Sequence, residues 1–398
     1  MRRAALTRPK VAILAALLSA AAPLPAAPPA ARMGKVMLYV GTYTSGDSKG
    51  IYRLHLDLAT GALSPAGEPT ETVSPSFLAL HPSRKFLYAV NETGDGPDDP
   101  SGGVSAFAVD PATGALTFLN RRPSEGAAPC HITIDKGGRH ALVANYWGGT
   151  VAVLPIGADG RLGPATAVVR HSGRGVKPQQ AHPHPHSVNL DAANRFALVA
   201  DLGIDKIVPY RFDAAAGLLE RHDAGAGALP AGAGPRHLAF SPSGRQAYVI
   251  DELDSTITRM DYDAEAGALT AVQTISTLPA GHTGNNSTAE VVVHPDGKLL
   301  YGSNRGHDTI AIFTIDGKTG ALTSAGHQPT GGRNPRNFAI DPTGAYLLAA
   351  NQDSDSIAVF RIDRARGRLT PVGTPARVPR PVCLRMIPPA PLTRADGR

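Results

Sequence analysis

The sequence predicts an all-β fold, a seven-bladed β-propeller of four-stranded antiparallel blades, on three observations. A turn ending in Gly-Ala-Leu or a close variant recurs seven times; a second landmark opens an apolar strand ahead of each turn; and the two chain ends are complementary parts of one blade. Repeats of this length point to a propeller or solenoid before any other architecture.

The turns come first. They lie at Thr60–Leu63, Thr113–Leu116, Asp159–Leu162, Ala216–Leu219, Ala266–Leu269, Thr319–Leu322 and Arg366–Leu369, each after a strand-like segment such as Val104–Val109 or Ile310–Ile315. Gly supplies the positive φ that a tight hairpin needs. The opening strands come next, headed by Pro75, Pro129, Pro185, Pro235, Pro335 and Pro381, with Ala289 in that place in the sixth unit. A turn such as His294–Gly297 or Ser241–Gly244 and a second apolar strand follow, so each unit reads as four strands. At the N-terminal end the first copy begins at its second strand, Val36–Val40, while Pro381–Ile387 is an opening strand with nothing after it. Pairing them closes the ring and removes the exposed sheet edges of an open array. The predicted boundaries are a leader at 1–33, one propeller at 34–388 and a disordered tail at 389–398.

Charge excludes one class of function. The net charge is +6, but five bases fall in the first 33 residues, which hold no acid. What remains is close to neutral and has no basic stripe with interleaved aromatics, so no nucleic-acid partner is expected. In the leader, Arg2, Arg3, Arg8 and Lys10 precede an apolar and small-residue run from Val11 to Ala22. That run is too short to span a bilayer comfortably and reads as a secretory signal, which predicts a periplasmic or secreted protein with no other membrane association. Pro23 and Pro28 directly follow the obvious Ala-x-Ala sites, so an uncleaved anchor or a disordered leader is the alternative, and a misread leader means a cytoplasmic protein. Cys130 and Cys383 sit near the starts of non-neighbouring units, which favours buried apolar thiols over a disulfide.

In an up-and-down blade, the start of the first strand and the loop between strands two and three share one end. Two rings therefore face one mouth of the central channel. The loop ring holds Thr42 and Tyr43, Asn91 and Glu92, Asn145 and Tyr146, Asp201, Asp251 and Glu252, Asn304 and Arg305, and Asn351 and Gln352. The strand-start ring reads Ser76, Cys130, His186, Arg236, Glu290, Arg336 and Val382. Ionisable groups gather on the arc from the fourth blade to the seventh, where burial is costly unless they are paired. Most Asn and Asp here are expected to cap turns, and Arg236 with Glu252 or Arg305 with Glu290 would also fit plain salt bridges.

Several segments together resemble the propeller lactonases of the 6-phosphogluconolactonase type. They are Gly234-Pro235-Arg236-His237, Ser303-Asn304-Arg305-Gly306-His307-Asp308, Asp201-Leu202-Gly203-Ile204-Asp205, Ala144-Asn145-Tyr146 with Gly148-Gly149, Ala350-Asn351-Gln352, and His184 with His186. The likeness runs from about Met37 to Ile387. It implies hydrolysis of a small-molecule sugar lactone with neither metal nor other cofactor, by a chain expected to be a monomer. A fungal muconate-lactonising relative uses a His, two Arg and a Glu at a similar mouth, which match His186, Arg236, Arg305 and Glu252.

The roles so implied follow from the reaction. Water attacks a carbonyl and negative charge grows on its oxygen. An imidazole of ordinary pKa near 6.5 can serve as general base, which assigns that role to His186. Arg236 and Arg305 are permanent forked donors for the oxyanion or a substrate anion, and Glu252 is assigned first to orienting an Arg or His186, with proton transfer as its alternative role. His184, His237, Asn145, Asn304, Glu290, Arg336 and Asn351 are the candidate substrate contacts.

Other patterns carry less. Gly46-Asp47-Ser48-Lys49-Gly50 matches Gly-x-Ser-x-Gly but lies between two strands, not at a strand–turn–helix elbow. His182, His184 and His186 alternate in an extended run, yet no carboxylate or Cys joins them at ligand spacing, so no metal is predicted. Trp147 beside Tyr146 suits either a sugar ring or packing over the blade edge. The rival readings are a cycloisomerase acting on an unsaturated dicarboxylate and a non-catalytic binding propeller, since fold alone does not choose function. Export would also favour an unphosphorylated lactone over the phosphorylated cytosolic one.

Overall fold

The structure, a computed structural model, describes Met1 and residues 34–94 and 102–387. The rest of the predicted leader and the predicted tail lie outside the described residues. Seven antiparallel sheets form the predicted propeller. The fifth blade shows the plan, with Pro235–Phe240, Gln246–Asp251, Thr256–Asp263 and Ala268–Ser276 paired in chain order from the channel outward. In the first and fourth blades the outermost strand is split, and Thr70–Glu71 and Gly227–Ala228 are its second pieces.

Burial follows position in the blade. Second strands such as Phe196–Asp201 are buried throughout, because neighbouring blades cover both faces, whereas the outermost Ala268–Ser276 is largely exposed. The apolar cores therefore lie between blades; one unites Phe196 and Leu198 of the fourth blade with Leu238, Val249 and Met260 of the fifth.

The repeated turns are held by the same chemistry. Asp57 Oδ1 accepts from the Ala59 and Thr60 backbone N–H groups and the Thr60 hydroxyl, and Asp110 and Asp316 repeat this around Thr113 and Thr319. The glycine that follows is required twice over. Gly160 has φ 82°, and a Cβ there would lie 2.3 Å from the Phe86 ring of the preceding blade. That close approach lets tyrosines latch blade to blade: Tyr39, Tyr88 and Tyr248 donate to the carbonyls of Gly114, Gly160 and Gly320 at 2.8, 3.0 and 2.9 Å.

The ends close as expected. Pro381–Met386 pairs antiparallel with Lys35–Thr42, Leu38 opposite Met386 and Val40 opposite Leu384. Leu38, Val40 and Leu384 are fully buried. Replacing Leu384 with Ala should leave a void at the closing seam and destabilise the protein by about 2–5 kcal/mol, read as a lowered midpoint in urea unfolding; an unchanged midpoint would mean the seam contributes little.

Candidate active site

A register shift builds the mouth. Pro235 pairs with Asp251 and His237 with Ile250, so Arg236 is an extra residue, a β-bulge. The same shift occurs at Cys130, His186, Arg336 and Val382. A bulge leaves one residue out of the ladder and re-aims its side chain, here toward the channel. Polar groups can thus head strands that are otherwise apolar.

The sixth blade departs from the predicted ring. Thr288 pairs with Asn304, as Pro235 does with Asp251, and Val291 with Gly302, as Leu238 does with Val249. Ala289 therefore takes the bulge position, and Glu290 sits one layer deeper, level with His237. Its partners agree: His237 Nδ1 is 2.9 Å from Glu290 Oε1, and the Asn337 amide donates to Oε2. Arg305 pairs with Glu252, not with Glu290.

Glu252 is the hub of the mouth. Its Oε2 lies 2.9 Å from Arg236 Nε and 2.9 Å from Arg305 Nη2. Arg305 Nη2 also donates to the Thr288 carbonyl at 2.7 Å, and Arg236 Nη1 to Ala289 at 2.7 Å. Among the described residues Arg236 Nη2 meets no partner, so it remains for a ligand. Burial, followed by repulsion from Arg336 and Arg305, brings the Arg236 pKa down to about 10, which still leaves it charged at neutral pH. Burial pushes the Glu252 carboxyl up, but the charges of Arg305, Arg236 and Arg336 together hold it below the usual range.

His186 stands on the neighbouring blade, its Nδ1 3.7 Å from Cys130 Sγ and its ring edge-on to Tyr146 and His237 at 5.3 and 5.4 Å. The ordinary pKa expected from sequence does not hold. Burial, then the charges of Arg236, His237 and Arg336, push it well below 6.5, and the ring is neutral at physiological pH.

The opposite side of the mouth carries groups that the site prediction left out. Tyr43 donates to Glu92 at 3.0 Å, the Ser76 hydroxyl donates to the same carboxylate, and Arg336 lies over the Tyr43 ring at 5.4 Å. Arg336 has no ion pair or hydrogen bond to any described residue. Tyr43, Ser76 and Glu92 were all in the predicted rings, and ring membership was the signal that could have singled them out. Charge thus surrounds the mouth and is not confined to the arc from the fourth blade to the seventh.

The remaining predicted contacts divide. Asn145, Asn304 and Asn351 are fully buried, and their amides donate to the carbonyls of Ser124, Thr277 and Thr330, which ties loops together behind the mouth. His184 stacks on Tyr146 at 4.3 Å and bonds its carbonyl through Nδ1, with exposed Trp147 edge-on at 5.1 Å. His182 reaches His184 but not His186. Ser48 is buried against Thr42 at 2.6 Å, far from the geometry of a nucleophile elbow. Cys130 and Cys383 are both free and buried.

Comparisons with known proteins agree with the fold. The family model described as Lactonase, 7-bladed beta-propeller, matches residues 37–386. The 6-phosphogluconolactonase of Bacillus subtilis (strain 168) is 36% identical over 305 residues, covering 77% of this chain and 85% of that protein. The 6-phosphogluconolactonase of Formosa agariphila is 34% identical over 307 residues, covering 75% and 85%. Among solved structures, the periplasmic gluconolactonase of Pseudomonas aeruginosa matches with a TM-score of 0.84 at 34% identity, over 89% of this chain and 99% of that one.

Four histidines in and beside the channel, His131, His184, His186 and His237, all have pKa values lowered chiefly by burial. An unfolded chain regains their ordinary value near 6.5 and binds more protons, so stability is complete above that pH and is lost as pH falls toward the folded values. Melting temperature should therefore decline from pH 8 to pH 5, and His131→Leu should flatten that decline; a melting temperature that rises on acidification would contradict the assignment.

Proposed function

The chain belongs to the seven-bladed β-propeller lactonase family, and from that premise we propose that its mouth opens an unphosphorylated sugar lactone by attack of water. The observation that carries this reading is the pair of guanidiniums sharing Glu252 beside a neutral imidazole. Bound water gives its proton to His186 as its oxygen bonds to the lactone carbonyl carbon. The carbonyl π pair moves onto oxygen, where Arg236 and Arg305 donate to it, a preorganised arrangement that needs no rearrangement as charge develops. When the carbonyl re-forms, the ring C–O bond breaks, and the leaving oxygen takes the proton back from His186 to give the hydroxy acid. A neutral resting imidazole suits this cycle, because the proton it gains is stabilised only once the oxyanion has formed. His184 and Trp147 are read as the wall against which the sugar ring lies.

Charge supports the choice of lactone. Three arginines, 236, 305 and 336, face two carboxylates, Glu92 and Glu252, which leaves one positive charge in excess. A neutral lactone acquires one negative charge in its tetrahedral intermediate. A phosphate ester would add about 1.5–2 more. The leader read as a secretory signal and the periplasmic gluconolactonase among the similar structures favour the same substrate and an extracytoplasmic site of action.

Following acid release in a pH-stat would test this. Wild type should hydrolyse gluconolactone with a higher kcat/KM than its 6-phosphorylated form, and His186→Ala should lower kcat by roughly 100- to 10,000-fold. Background rates from both proteins across a panel of lactones would overturn the hydrolase reading; preference for the phosphorylated substrate would overturn the choice of lactone alone.

A further inference from the structure

Resting on that reading, we propose that His237 is a positioning residue that sets the orientation of Arg236, with Glu290 fixing the tautomer in which it does so. His237 is 4% exposed and lies one layer beneath the mouth, behind Arg236. Its Nε2 is 3.2 Å from Arg236 Nη1. A guanidinium has no acceptor, so Nε2 must be the unprotonated nitrogen and accept from Arg236. The hydrogen then sits on Nδ1 and is donated to Glu290 Oε1 at 2.9 Å.

The polarity is fixed further back. Asn337 donates its amide N–H to Glu290 Oε2, and its Oδ1 accepts from the Leu384 backbone N–H at 2.9 Å. A backbone N–H can only donate, so the Asn337 amide has one permitted orientation. Each bond thereby dictates the next, from the closing strand through the seventh and sixth blades to Arg236 on the fifth. The imidazole cannot swing out of line, since Phe77, His131 and His186 pack around it with ring centres 5.5, 5.4 and 5.4 Å away. With Nη1 occupied by His237 and Ala289 and Nε held against Glu252, the guanidinium is left with Nη2 for the developing charge.

The test is a double-mutant cycle on lactone hydrolysis, joined to a measurement that needs no turnover. His237→Leu should lower kcat roughly 10- to 100-fold, the usual effect of losing an outer-layer partner. His237→Gln keeps one donor and one acceptor and should recover most of that loss. In an Arg236→Lys background, His237→Leu should change kcat by less than about twofold, because the two changes remove one function. Should His237→Leu fail to fold, Glu290→Gln takes its place in the cycle; at nearly unchanged volume its single carbonyl can accept from only one of the Asn337 and His237 donors. Losses that multiply across the cycle, or a His237→Leu protein with wild-type kcat, overturn the proposal. Side-chain ¹⁵N shifts of wild-type His237 should show Nδ1 protonated and Nε2 bare. The reverse tautomer overturns it even if no lactone is turned over, whereas an inactive wild type with the expected tautomer faults only the lactonase reading.

Discussion

One extra residue at the head of an inner strand is the constraint on which the mouth of this propeller depends. A strand buried on both faces is largely apolar, and its regular alternation points few side chains at the mouth itself. The bulge adds one there without disturbing the ladder below. Above it, Pro235 still pairs with Asp251; below it, His237 still pairs with Ile250. The interruption leaves Arg236 pointing into the channel at the cost of one missing ladder contact. Repetition around the ring gives six of the blades one such position, and the identity of the residue placed there decides whether the blade contributes charge, a thiol or a methyl group.

Gathering these groups in a narrow channel changes their chemistry. Burial alone would favour neutral forms throughout. The arginines instead keep Glu252 ionised, and the same cations, added to burial, keep His186 neutral. Such ion pairs are poor stabilisers, since the desolvation of buried charges offsets most of their attraction. Their presence is better understood as a field prepared in advance for a negative charge. The channel floor repeats the logic in hydrogen bonds, where the Leu384 N–H fixes the Asn337 amide and the Glu290 carboxylate accepts from Asn337, His237 and the Val291 N–H.

The fold was legible because its signals are local. A glycine turn, its capping Asp and a proline-headed strand are each fixed by a few neighbouring residues, and seven copies averaged out the exceptions. The site was legible only as far as the register held. In the sixth blade the head of the strand carries Thr288 where six others carry Pro, and taking Ala289 as its opener displaced Glu290 by one residue. In a strand, one residue is the difference between two layers. That single slip suggested a salt bridge between Arg305 and Glu290 that does not form. The pKa of His186 was illegible for another reason: it depends on cations brought near by closure of the ring, far apart in sequence. Glu92 and Tyr43 were visible as ring members, but nothing local to either announces that Arg336 of the seventh blade lies across from them.

The seam between Lys35–Thr42 and Pro381–Met386 has a consequence for how the chain is made. Its two partners are the first and the last strand in chain order among the described residues. Every other blade can form from a contiguous stretch as it appears, but the first cannot finish until the final strand is available. At roughly 5–20 residues per second, an incomplete edge persists for tens of seconds, and closing so long a loop is entropically unfavourable and slow. The same pairing that completes the first blade makes the last moments of assembly the period in which one chain is most able to pair with another.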